Sequence, residues 1–122
     1  MSAGGPNLTR GLLQLADLRR QQGRLEEATQ EIERIYKHLR ERNAEKSWHM
    51  LVARSVHGAV LSAEGRRSDA EPLLREAFDD LRRVAGDRSP WTSKAHARLI
   101  DHYEAHNQAE LAEETRALIR QP

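Results

Sequence analysis

The chain has no cysteine, and aromatic residues make up only 4% of its 122 positions. The first absence excludes disulfides and thiolate chemistry and favours a reducing, cytoplasmic setting. The second leaves few platforms on which bases could stack. A charge excess is also missing. Twenty basic residues face 19 acidic ones, for a net charge of +1, which argues against nucleic acid or an anionic membrane as the main partner. No apolar run approaches the roughly 20 residues that span a bilayer. Met1–Pro6 lacks the order of basic and apolar segments of a signal peptide and is expected to be a flexible leader, residues 1–6.

Catalytic constellations are missing as well. No glycine-rich phosphate loop and no Gly-x-Ser-x-Gly elbow occurs. His102 and His106 stand four apart on one predicted helix, but Tyr103 follows His102, so HExxH is absent. His96 falls on another side, and no third ligand completes a zinc set. These histidines are expected to face solvent. The expectation is no enzyme, no catalytic residue, no metal and no cofactor.

What is present is a repeat. Arg24-Leu25-Glu26-Glu27-Ala28 is echoed by Arg66-Arg67-Ser68-Asp69-Ala70 and by Gln108-Ala109-Glu110-Leu111-Ala112, at a spacing of 42 residues. Gly23, Gly65 and Asn107 precede the three copies in the same register. A fixed period of that size marks a stacked-repeat protein, in which each unit buries its apolar face against the next. Charged residues at 32% and hydrophobic residues at 38% fit a thin core spread along the chain.

Apolar spacing predicts six helices and no strand. Asn7 caps the first, whose inward residues are Leu8, Leu12, Leu15, Ala16 and Arg19, flanked by Leu13 and Leu18. The second runs from about Leu25 to Arg42. The third follows Ser47, to about Glu64. Ser68 and Glu71 have capping-box spacing for the fourth, whose inward residues include Leu74, Phe78, Leu81 and Val84. Ser89 caps the fifth, with Pro90 in its first position. The fifth reaches about His106, and the sixth spans about Ala109–Gln121 with Ala112, Thr115, Leu118 and Ile119 inward.

The column Ala28, Ala70 and Ala112 has a packing task. Where the second helix of a unit crosses the first, a methyl group lets the backbones approach. Ala16 and Gly58 are the matching small residues on the facing helices, and Ile100 departs from the rule. Replacing Ala70 by Leu is expected to cost about 1–3 kcal/mol through overpacking, read from thermal unfolding. Trp48 and Trp91, 43 apart and so in different columns, are expected to cover the joints between units.

Gly23 to Ala28, Gly65 to Ala70 and Asn107 to Ala112 resemble the tetratricopeptide repeat, with its turn glycine and an alanine five residues on. Tyr103 falls where that family often has tyrosine. The ordinary repeat has 34 residues. The longer period here is similar to the kinesin-light-chain type, arrays of which occur in many bacterial proteins. The resemblance covers about residues 7–121. It implies an all-α, right-handed superhelical solenoid of three antiparallel helix pairs. Residues 7–122 are expected to form one domain, with repeats at about 5–46, 47–88 and 89–122.

The resemblance also implies a function: a protein-interaction module that holds a peptide or partner segment in a concave groove of the first helices of each pair. Carried over by register, the groove residues are Gln14, Asp17 and Arg20, then Ser55 and Ser62, then Lys94, Arg98, Asp101 and Glu104. The repeat-packing residues are Ala16, Gly23, Ala28, Gly58, Gly65, Ala70, Tyr103 and Ala112. Paired asparagines often found in grooves of this type are replaced here by Leu13-Gln14, Ser55-Val56 and Ala97-Arg98. The alternative expectation is self-association, a homodimer formed through terminal helices. Leu111, Leu118 and Ile119 would then be uncovered at the end of the array. In either case the module is expected to be a cytoplasmic scaffold, and in the second the C-terminal part of a larger bacterial kinase or regulator.

Overall fold

A computed structural model describes residues 6–119. Most of the expected leader, and the expected last residues of the sixth helix, lie outside the described residues. The elements are α1 (Pro6–Gln21), α2 (Leu25–Glu41), α3 (Trp48–Ala63), α4 (Arg67–Ala85), α5 (Pro90–Ala105) and α6 (Ala109–Leu118). The protein is all-helical, with no strand among the described residues. Each helix packs against the next in sequence, and α3 also touches α1 and α5. That makes α3 the central element, as its burial reflects: Val52, Ala53, Ser55, Val56, Gly58, Ala59, Val60 and Leu61 are all buried.

The 42-residue echo reappears in the backbone. Gly23, Gly65 and Asn107 have φ of 77°, 80° and 60°, in the left-handed region. Asparagine tolerates that conformation better than other side chains, so Asn107 can stand where glycine stands twice. At each site the following N–H reaches back five residues to a helix carbonyl. Arg24 N bonds Arg19 O, Arg66 N bonds Leu61 O and Gln108 N bonds Tyr103 O, at 2.8–2.9 Å. This closes the three helices with the same Schellman turn and satisfies carbonyls that would otherwise be orphaned. Five residues after each turn residue, Ala28, Ala70 and Ala112 are fully buried.

Helix packing at the crossing is tightest at Gly58. A Cβ built there would lie 2.7 Å from Leu74 Cγ and 3.1 Å from Leu74 N. Side chain and backbone both block it, so the α3–α4 approach requires glycine. Ala16 occupies the equivalent place on α1 and is fully buried. In the third unit Ile100 stands there, and the opposing column changes with it. Ile32 and Leu74 are buried, whereas Arg116 in the same register is exposed. Helix α6 has 10 residues and packs mainly on α5, with one bond from α4, Arg82 Nη2 to Leu118 O at 3.3 Å.

Several expected placements differ. Helix α1 begins at Pro6, so Asn7 lies inside its first turn. Leu8 and Leu18 are 42% and 47% exposed, while Thr9, Leu13 and Ala16 form the buried stripe. Leucine at flanking positions shifted the apparent stripe by one residue. Ser68 is not a cap: α4 starts at Arg67, with Arg66 before it. Arg66 instead pairs with Asp69, as Arg24 pairs with Glu27 one repeat earlier. Ser47 holds the N-cap position, but its hydroxyl donates to Ala44 O at 2.7 Å. Ser89 does cap α5, accepting from Trp91 N at 3.2 Å. Val84, in the last turn of α4, is exposed beyond Leu81, the final buried residue.

Candidate functional site

Helices α1, α3 and α5 line a cleft of about 240 Å3. Its floor is Val52 and Val56 of α3, its walls Leu13, Gln14 and Gln21 of α1 and Trp91 and Lys94 of α5. The small branched floor follows from the central position of α3, whose cleft-facing residues are also core residues.

One ionic network ties the walls together, and its Asp17, Gln21 and Arg98 line the cleft. Arg98, 7% exposed, donates from Nη1 to Ser55 Oγ at 3.1 Å and from Nη2 to Asp17 Oδ2 at 3.3 Å. Arg20 donates from Nε to Asp17 Oδ1 at 2.9 Å, and Gln21 from Nε2 to Asp17 Oδ2 at 3.2 Å. Asp17 therefore accepts from both its own helix and α5, 81 residues away. Burial raises the pKa of its carboxyl, but the Arg98 and Arg20 guanidinium groups outweigh that and hold it below its ordinary 3.8. Burial pulls Arg98 down, and Asp17 opposes the shift. A guanidinium keeps its proton even so.

A second cluster lies further along the α3–α5 seam. Ser62 Oγ contacts His102 Nδ1 at 2.7 Å and His106 Nε2 at 3.2 Å. Arg20, Ser62, Asp101 and His102 line a smaller hollow of about 160 Å3 beside it. His102 is 1% exposed, against the expectation of a solvent-facing histidine. Burial first, then the neighbouring His106, push its pKa below 6.5. Its ring is a packed joint residue whose Nε2 has no partner among the described residues.

The nine groove residues named from the sequence thus divide. Gln14, Lys94 and Asp101 are exposed along the clefts. Asp17, Arg20 and Ser62 are half-buried and engaged with other side chains. Ser55 and Arg98 are buried and hold helices together. Glu104 turns to α6, where its carboxylate accepts from Arg116 at 2.7 Å. Leu18 and Trp91 also line the cleft. Spacing alone places Leu18 in the core, because an exposed leucine on an amphipathic helix has the same spacing as a buried one.

Buried and half-buried aromatic residues adjoin this face. Tyr103 is 1% exposed and its hydroxyl accepts from Arg75 Nε at 3.2 Å. Trp48 and Trp91 meet across the start of α3 and α5, centroids 5.0 Å apart, despite their different columns. Among the described residues no group of three or more His, Asp or Glu side chains is arranged to hold a metal ion. No described helix is long and apolar enough to cross a membrane. Comparison with known proteins gives no match: no family model, no curated protein and no solved structure aligns significantly with this chain.

Proposed function

We propose that the chain is a tetratricopeptide-like interaction module of the long-period type, a right-handed solenoid of three helix pairs. The face formed by α1, α3 and α5 binds an extended peptide or partner segment. The observation that carries this reading is the cleft itself, bordered by exposed Gln14, Gln21 and Lys94 over an apolar floor. Polar rim and apolar floor together suit a segment that alternates side chains between solvent and protein. The three matching Schellman turns support the repeat architecture. On this reading the module is a scaffold without chemistry of its own, acting in the cytoplasm.

The test uses peptides selected from a random display library against the full chain. Lys94→Glu and Asp101→Arg reverse exposed charges that make no ion pair among the described residues. Melting temperature should stay put while selected peptides bind more weakly to at least one variant. Peptides that bind both variants as tightly as the parent would count against this face.

Self-association through the terminal helices is the second reading, favoured by Leu118, which is 42% exposed at the end of α6. Ile119 beside it is buried, so the uncovered patch is smaller than expected. Light scattering at high concentration decides: a strict monomer excludes it, and a dimer abolished by Leu118→Lys supports it.

A further inference from the structure

Sharing no residue with the α1–α3–α5 cleft, a second, open cleft of about 400 Å3 lies between α2, α3 and α4. Met50 and Leu73 give it an apolar lining. Tyr36 and His57 close one wall, with Tyr36 Oη 2.9 Å from His57 Nδ1. Arg40 and Arg54 stand at its mouth, with Glu45. Both guanidinium groups are exposed and neither forms a hydrogen bond or ion pair among the described residues.

The repeat supplies an internal comparison. Forty-two residues on, the same joint between α4 and α5 carries Phe78 for Tyr36, Arg82 for Arg40, Asp87 for Glu45 and His96 for Arg54. There every group is engaged. Arg82 Nε donates to Asp87 Oδ1 at 3.0 Å and its guanidinium lies 5.5 Å from the Phe78 centroid. His96 Nε2 bonds Thr115 O at 2.6 Å, and its ring sits 5.1 Å from Phe78. The second joint is closed on itself, whereas the first leaves two cations and an apolar hollow open. The residues differ, and so does the turn: α2 ends at Glu41 with Asn43 at φ 54°, whereas α4 runs on to Ala85 with Gly86 at φ 87°.

We infer that the cleft between α2, α3 and α4 is a binding site for a small amphiphilic carboxylate, its apolar body against Met50 and Leu73 and its headgroup between Arg40 and Arg54. Small-molecule sites combine mostly apolar walls with a few placed polar groups, and the hollow has the size for such a ligand. Two guanidinium groups against the single Glu45 carboxylate leave a net positive mouth, and arginine's fork matches a carboxylate in two-pronged geometry. The tyrosine hydroxyl stays protonated at neutral pH: burial pushes its pKa up to about 12, with Arg54 opposing. It therefore adds no negative charge to repel the ligand. The site stands apart from the peptide-binding face and does not depend on it.

The probe is octanoate, titrated calorimetrically into the full chain below its micelle range, with octanol and inorganic phosphate as separate arms. Octanoate should bind saturably, and amide shifts should centre on α2, α3 and α4. Octanol, lacking the charge, and phosphate, lacking the apolar body, should each bind about tenfold more weakly or worse, a difference of about 1.4 kcal/mol. Arg40→Glu and Arg54→Glu should each weaken octanoate by about the same factor, and Arg83→Glu, on α4 away from the cleft, should not. Absence of saturable binding overturns the assignment. So do equal affinities for octanol or phosphate, or equal weakening by all three arginine variants.

Discussion

Asp17 accepts from Arg98 and from Arg20, and the two partners are not equivalent. Arg20 sits one turn away on the same helix and is half-exposed, so its contact resembles an ordinary helix-surface pair. Arg98 comes from α5, is buried, and also satisfies Ser55. Arg98→Met should destabilise the protein by roughly 2–4 kcal/mol, since removing one partner leaves the other charge poorly compensated, while Arg20 keeps the loss from being larger. A double-mutant cycle with Asp17→Asn, read by urea unfolding, should give a coupling above about 1 kcal/mol. Additive effects would show that the contact is incidental. At the same scale, His49, His57 and His102 all have pKa values pushed below 6.5, in each case chiefly by burial. The next contribution comes from Arg10, Arg66 and His106 respectively. Around His102, Glu71 of α4 opposes the shift and Arg67 reinforces it. Each folded-state histidine takes up its proton less readily than in the unfolded chain. Their stability contribution is therefore complete above pH 6.5 and is lost as pH falls through the depressed folded values. The urea midpoint should drop between about pH 7.5 and about pH 5, and His102→Gln should flatten part of that slope. A midpoint constant over this window would contradict the burial of these rings.

At the scale of the element, two glycines inside helices make opposite predictions. Gly58 lies against Leu74, and an added methyl would meet side chain and backbone together. Gly11, exposed on α1, has nothing within 4 Å of such a methyl. Gly11→Ala should therefore stabilise by up to about 1 kcal/mol through helix propensity. Gly58→Ala should destabilise by about 1–2 kcal/mol net, overpacking exceeding the same propensity gain. Thermal unfolding of the two variants checks the pair, and stabilisation by both would show that α3 and α4 do not approach so closely. This is also where the sequence was most legible. Period, turn residues and the alanine column each depend on local backbone needs, so Gly23, Gly65, Asn107 and Ala70 announce themselves. Ser68 misled because its spacing to Glu71 fits a capping box, although the repeat register already placed the start of α4 at Arg66–Arg67. Arg98 and His102 are charged or polar by type, and only the α3–α5 contact buries them. No single-helix pattern carries that information.

At the scale of the molecule, α3 connects both clefts, forming the floor of one and a wall of the other. The six helices are held by a core that runs from Leu13 to Ile119. On the proposed binding function, specificity resides in columns that do not repeat. Gln14, Val56 and Arg98 share one column, and their chemistry changes from polar to apolar to buried cation. The corresponding rim is therefore different at each step along the cleft, as a surface that distinguishes one segment from another requires. The proposed resting place of a partner segment is the face along α1, α3 and α5. Amide shift mapping of the full chain with a display-selected peptide tests it most directly. Perturbations are expected to run across Gln14, Gln21, Val52, Val56 and Lys94. Perturbations confined to the outer surfaces of α2, α4 and α6 would contradict it.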